Sequence, residues 1–307
     1  MREKKLSVYM ELIEFKAKMA SILPFLLGIM YCEYNYSTVR PLDSIILIVA
    51  MLFFNMAVDM LDNYCDYKNA SLEHDYKQKT NIIGREGLNP KKVLNYTIIF
   101  VVIASILGIY LVSKTGYMLL ILGIYSFAVG IFYSYGPRPI SSLPLGEFFS
   151  GTTMGFVIIL ITIGVNLGGF DELGVESIRN IFLYSVPSVF SIAGLMLTNN
   201  LCDIDEDRIN NRKTLACVIG QQNSIRLLYM FYAIAFFGVV VNVIVGIAPL
   251  SYIVVLFSTI MVYKNTHSIE MNPIKNKSFK FAVYNLGIIL SLQVLGMCIG
   301  IILKMIF

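Results

Sequence analysis

Residues 45–66 read IILIVAMLFFNMAVDMLDNYCD, an apolar run that closes on Asn55, Asp59, Asp62 and Asp66. The apolar part suits a membrane-spanning helix, which needs about 20 such residues. Carboxylates at the edge of a bilayer are costly and tend to be kept for function. A second apolar run closes in the same way, on Asn199-Asn200-Leu201-Cys202-Asp203-Ile204-Asp205-Glu206-Asp207-Arg208. Two acidic endings in a chain that otherwise avoids charge point to one shared, metal-dependent site for a polyanion.

The rest of the composition agrees with a membrane setting. Of 307 residues, 57% are hydrophobic and 14% charged, with a mean hydropathy of +0.71. An ordinary soluble domain carries about 25% charged residues. The chain therefore reads as all-α and polytopic, a single integral-membrane domain over residues 1–307. No small-residue cleavage site follows the first apolar run, so that run is expected to remain as a helix. The five cysteines show no CxxC pair or zinc spacing and are expected to be reduced thiols. Two histidines are too few for a histidine metal site; His74 falls in a loop beside the first cluster and is a candidate for the site mouth.

Nine spans are expected, at roughly 15–35, 42–63, 94–113, 117–135, 146–168, 179–200, 225–246, 248–263 and 281–303, the eighth being short. With the N-terminus cytoplasmic, one face then receives all but four of the 24 Lys and Arg residues, the exceptions being Arg40, Lys114, Arg179 and Lys304. Positive-inside bias predicts this asymmetry. It places both acidic clusters, and the long loops after them, at the cytoplasmic face of a cell membrane, with the C-terminus on the opposite side. Neither a nucleic-acid partner nor an obligate protein partner is expected.

A helix advances about 100° per residue, so Asn55, Asp59, Asp62 and Asp66 share one narrow stripe. Asn199, Asp203 and Asp207 step along another, while Asp205 points away. Each stripe offers oxygen ligands, and a divalent cation relieves their mutual repulsion. Mg²⁺ is usually held by one or two carboxylates plus substrate phosphates. Asn55, Asp59, Asp62, Asp66, Asp203 and Asp207 are thus candidate metal ligands. Lys68, Lys77, Lys79, Arg85, Arg208, Arg212 and Lys213, in the adjoining loops, are candidates to clamp a diphosphate.

At these residues the chain resembles the UbiA superfamily of intramembrane prenyltransferases. Asp59, Asp62 and Asp66 reproduce its D-x-x-D-x-x-x-D spacing, with Val58 where Asn is usual, and Asp203 and Asp207 reproduce its DxxxD. Within that superfamily, Tyr133-Ser134-Tyr135-Gly136-Pro137-Arg138-Pro139, Leu145-Gly146-Glu147, Asn199-Asn200 and Arg212-Lys213-Thr214-Leu215-Ala216 are similar to the 1,4-dihydroxy-2-naphthoate polyprenyltransferase branch. The first motif there often reads N-D-Y-x-D; here Asp62-Asn63 stands exchanged, and which of Asp59, Asp62 and Asn63 meets metal stays open.

The resemblance implies nine transmembrane helices in a UbiA-like bundle with a central cavity open to the cytoplasmic side. It implies Mg²⁺-dependent transfer of a polyprenyl group from its diphosphate to the naphthoate, with loss of pyrophosphate and CO₂, giving demethylmenaquinone. Asp62, Asp66, Asp203, Asp207 and Tyr64 are then the expected catalytic residues. Asn199, Tyr133 and Glu147 are expected to bind the aromatic acid. Rival readings are a sister enzyme acting on 4-hydroxybenzoate, haem or a glycerophosphate, and a cation-coupled transporter. A transporter would hold its carboxylates near the membrane midplane at broken helices, not at helix ends beside basic loops.

Overall fold

A computed structural model describes residues 2–69 and 76–307, without the side chains of residues 2–6, 16, 76 and 77. The described residues contain helices and no strand. In order they are α1 (Arg2–Leu12), α2 (Met19–Tyr36), α3 (Pro41–Asn69), α4 (Ile82–Arg85), α5 (Pro90–Thr115), α6 (Tyr117–Ser134), α7 (Gly146–Thr152) and α8 (Ile158–Leu167). They continue as α9 (Val175–Cys202), α10 (Ile204–Ile209), α11 (Leu215–Ile219), α12 (Gln221–Ile244), α13 (Thr259–Met271) and α14 (Lys275–Ile306). A wider π-type turn, Thr153–Val157, joins α7 and α8 into one rod.

Seven of these units are long and apolar enough to cross a membrane: α3, α5, α6, the α7–α8 rod, α9, α12 and α14. The other two expected spans take the form of α2 and a segment that starts as a 3₁₀ helix, Leu250–Ser258, and continues as α13. Lys264, His267 and Glu270 on α13 explain why its apolar run is short. Expected helix ends also move outward. α3 runs on to Asn69 and α14 starts at Lys275, because charged side chains at helix ends can reach water without breaking the backbone ladder.

Local chemistry sets several boundaries. The Asn89 side chain accepts from the amides of Lys91 and Lys92, and Pro90 occupies the first turn, so α5 begins there. Asn81 caps α4 through the Ile83 amide and donates to the Asn63 carbonyl at 3.0 Å, tying the loop back to α3. Between the α7–α8 rod and α9 the backbones nearly touch: a Cβ on Gly155 would stand 2.6 Å from Val189 Cα. Without a hydrophobic force between helices in lipid, such small-residue contacts are what let them pack.

The largest buried cluster joins α2, α8, α9, α12 and α14 around Leu27, Ile163, Tyr184, Leu197, Leu228 and Ile289. A smaller one joins α1, α3, α4 and α5 around Leu12, Met60, Ile82, Ile83 and Val93. Many large apolar side chains on α5, α6 and α14 face outward, as a lipid-facing surface requires. The ends of α3, α6 and α9 and the starts of α7 and α14 meet at one end of the bundle, where both acidic clusters lie.

Candidate active site

The first cluster divides along α3. At its inner end, the buried Lys18 ammonium donates to Asn55 Oδ1 and Asp59 Oδ2. Asn55 in turn donates to Ser21 Oγ at 3.0 Å. One turn further out, Asp62 Oδ1 accepts from Ser134 Oγ at 2.5 Å, which anchors it to the end of α6. Asp66 Oδ1 accepts from Arg212 Nη2 at 2.7 Å. Asn63 turns the other way and donates to the backbone carbonyls of Asp59 and Leu12. Of the three residues left open by the sequence, Asp62 joins Asp66 at the site, Asp59 is paired with lysine, and Asn63 fastens α3 to α1. Tyr64 packs against the apolar cluster of Leu12, Met60 and Ile82.

The second cluster is not one continuous helix. α9 stops at Cys202, and Asp203 adopts a non-helical conformation (φ −107°, ψ 11°) before α10 begins. The Asp207 amide still bonds the Asp203 carbonyl at 2.8 Å, so the four-residue spacing survives the break. The two side chains then diverge. Asp203 Oδ2 accepts from Lys275 Nζ at 2.5 Å. Asp207 is 4% exposed, its Oδ2 accepts from Thr214 Oγ1 at 3.0 Å, and Arg212 Nη1 lies 3.8 Å from its Oδ1. Burial pushes the Asp207 carboxyl above the usual range, opposed by the Thr214 hydrogen bond and by Arg212. Burial also works against the Arg212 charge, but Asp66, Asp207 and Asp62 hold its guanidinium above the ordinary value. Asp205 points outward, as its helical phase predicts, with a side chain 98% exposed.

Beside the carboxylates lies a polar cluster. Glu147 is 3% exposed; its Oε1 accepts from Asn200 Nδ2 at 2.9 Å, while its Oε2 is buried without a hydrogen-bond partner among the described residues. Tyr133 Oη stands 3.0 Å from Met196 Sδ and within electrostatic reach of Asp62, Glu147 and Arg212. Gly146 makes room for it, since a Cβ there would meet that hydroxyl at 3.3 Å. The structure thus brings Tyr133 and Glu147 together with Asn200; Asn199, one residue earlier, is half-buried on the adjacent face of α9.

The basic residues separate into two groups. Arg208, Arg212 and Lys213 line a recess of about 290 Å³ with Asn211, Cys217 and Val218. That loop is fixed by the Arg212 amide on the Asp207 carbonyl and the Lys213 amide on the Ser142 carbonyl, at 2.8 and 2.9 Å. Arg85 instead pairs with Glu11 at 2.7 Å and Glu86 at 3.3 Å. Lys68 and Lys79 are exposed. His74 lies outside the described residues, as does the Lys77 side chain.

Sequence reading missed four participants: Glu14, Lys18, Ser134 and Lys275. Glu14 holds a left-handed backbone conformation (φ 45°, ψ 50°) between α1 and α2, and its carboxylate lies within electrostatic reach of Lys18, Lys275 and Asp66. A non-glycine residue held there signals a local constraint. Among the described residues, no three His, Cys, Asp or Glu side chains gather closely enough to hold an ion alone. An all-oxygen set spread over two edges fits Mg²⁺, whose remaining coordination comes from water and substrate phosphate.

The sequence model of the UbiA prenyltransferase family matches residues 21–286. The chain belongs to that family. It is 32% identical over 238 residues to the 1,4-dihydroxy-2-naphthoate octaprenyltransferase of Bacillus subtilis strain 168, covering 77% of this chain and 74% of the relative. The fold also matches solved UbiA homologues. That from Aeropyrum pernix K1 superposes with a TM-score of 0.70 at 17% identity, over 95% of this chain and 98% of the other. That from Archaeoglobus fulgidus, bound to GPP and Mg²⁺, gives 0.67 at 13% identity, over 96% and 99%. The chain is therefore a multi-pass membrane protein and a prenyltransferase of UbiA type.

Proposed function

We propose that this UbiA-family chain transfers a polyprenyl group from polyprenyl diphosphate to 1,4-dihydroxy-2-naphthoate. The observation that carries the reading is Arg212, which spans from Asp66 to Asp207 and so brings the two acidic edges to one place. The 32% identical relative named for this naphthoate supports the choice of acceptor.

Asp62, Asp66, Asp203 and Asp207 are the residues that would hold Mg²⁺. The bound metal supplies neutralisation of the diphosphate charge as it leaves. Arg212, with Arg208 and Lys213 beside it, holds the same oxygens through charged hydrogen bonds. An apolar recess of about 560 Å³, lined by Phe15, Met19, Met261, Tyr284, Gly287 and Ile288, would take the prenyl tail. Its apolar walls keep water from the allylic carbon. Tyr133, within electrostatic reach of Asp62 and Glu147, offers a ring that can stabilise developing positive charge. Glu147 and Asn200 orient the acceptor.

The C1–O bond breaks with its electrons leaving on pyrophosphate. The ring carbon bearing the carboxylate attacks C1, and CO₂ departs, its bonding electrons restoring the aromatic ring. The product is the hydroquinone form of demethylmenaquinone. In this reading the site faces the cytoplasm of a cell membrane, in a nine-span topology with the C-terminus on the opposite side, which the charge asymmetry supports.

Incubating the chain with one prenyl diphosphate, Mg²⁺ and a panel of acceptors tests the assignment. Product with dihydroxynaphthoate is expected. Product only with 4-hydroxybenzoate or a glycerophosphate would assign a different branch.

A further inference from the structure

The two acidic edges account for Arg212, but not for Lys275. A lysine at the start of a membrane helix ordinarily extends its ammonium outward to water. Lys275 does the reverse and reaches from α14 to the end of α9, placing Nζ 2.5 Å from Asp203 Oδ2. Its side chain remains 50% exposed while that of Asp203 is 15% exposed, so the pair sits at the mouth of the site. Glu206 also lies within electrostatic reach of Lys275, as does Glu14; one ammonium thus stands among three carboxylates from two segments of the chain.

If Asp203 holds metal, the ion and the Lys275 ammonium meet at one carboxylate, where Lys275 already holds Oδ2. Two cations on one carboxylate repel each other. A half-exposed lysine on a flexible stem is free to move, whereas Arg212, planar and fixed by carboxylates on both sides, is not. We propose that Lys275 is the exchangeable counter-cation of Asp203: it holds the carboxylate while metal is absent, yields it on metal loading, and then binds the diphosphate head. Lys275 becomes a substrate-binding residue contributed by the last helix, which neither acidic motif encodes. This rests on the reading of Asp203 as a metal ligand.

The test uses the full chain in detergent, with Mn²⁺ as probe and free Mn²⁺ followed by electron paramagnetic resonance. Without substrate, Lys275→Gln is expected to bind Mn²⁺ more tightly, by up to about fivefold, the range of a partly exposed ion pair. With saturating Mn²⁺, its KM for farnesyl diphosphate should rise about tenfold with little change in kcat, as loss of one charged hydrogen bond implies. Lys275→Arg should keep wild-type KM. Unchanged or weaker Mn²⁺ binding in Lys275→Gln, or a KM that Lys275→Arg raises equally, would overturn the proposal. Asp203→Asn separates the two levels: Mn²⁺ binding that survives it removes the metal-ligand reading itself, whatever Lys275 does.

Discussion

Arg212 and Asp66 meet through a 2.7 Å hydrogen bond although 146 positions separate them in the chain. The same guanidinium reaches within 3.8 Å of Asp207, so one side chain holds the two acidic edges in register. Removing it should separate them electrostatically as well as free a diphosphate clamp. Arg212→Gln is expected to lower kcat by about 100-fold or more, the scale for losing a preorganised charge-stabilising donor. Lys in its place should recover little, because it cannot bridge two carboxylates bidentately. Steady-state kinetics on both variants checks this.

Ser134 acts through Asp62, to which it donates at 2.5 Å. Ser134→Ala leaves the carboxylate unoriented. Divalent-ion affinity should fall about tenfold, at the lower end for loss of a group that orients a metal ligand. Titration with Mn²⁺ measures it, and an unchanged affinity would show that Asp62 is not a ligand.

Glu147 offers a different readout. Its Oε1 is engaged by Asn200 and its Oε2 has no partner among the described residues. Glu147→Gln is expected to raise KM for the aromatic acid while leaving KM for the prenyl diphosphate near wild type. Equal effects on both substrates would place Glu147 in the framework instead of the acceptor pocket.

Packing gives a stability prediction. Gly155 lies against the backbone of Val189, where a side chain finds no room. Gly155→Val should destabilise the protein by about 1–3 kcal/mol, the usual cost of overpacking, visible as a lower Tm in detergent. Gly108, where an added Cβ would meet nothing within 4 Å among the described residues outside its own helix turn, should tolerate Ala.

Much of this was legible in the sequence because it is local. Asp62 and Asp66 share a helical stripe, and that stripe is real because α3 continues to Asn69. Helical phase turns Asp205 away from the stripe of Asp203 and Asp207, and its side chain is exposed. The same periodicity failed at Asp203, where the helix breaks and a hydrogen bond, not helical continuity, preserves the spacing. What the sequence hid is non-local. Lys18 pairs with Asp59 from 41 positions away, and Lys275 pairs with Asp203 from 72. In sequence both lysines count only among the basic residues of one face, which says on which side a lysine lies but not what it holds. Asn200, not Asn199, meets Glu147, because one residue on a helix turns a side chain by about 100°.

Metal dependence should follow the carboxylates. Chelation with EDTA is expected to abolish prenyl transfer and excess Mg²⁺ to restore it. Asp66→Asn and Asp203→Asn should each remain inactive at any Mg²⁺ concentration while keeping wild-type helix content by circular dichroism. Near-normal turnover in either would remove that residue from the site.

The central claim is that both acidic edges present a prenyl diphosphate to 1,4-dihydroxy-2-naphthoate, whose carboxylate is lost. The most direct measurement uses acceptor labelled with ¹³C in the carboxylate, a prenyl diphosphate and Mg²⁺, followed by mass spectrometry of lipid and gas. The expected result is a prenylated quinol without label, matched by ¹³CO₂, and neither product with Asp203→Asn. A prenylated product that retains the label, or no prenylated product, would contradict it.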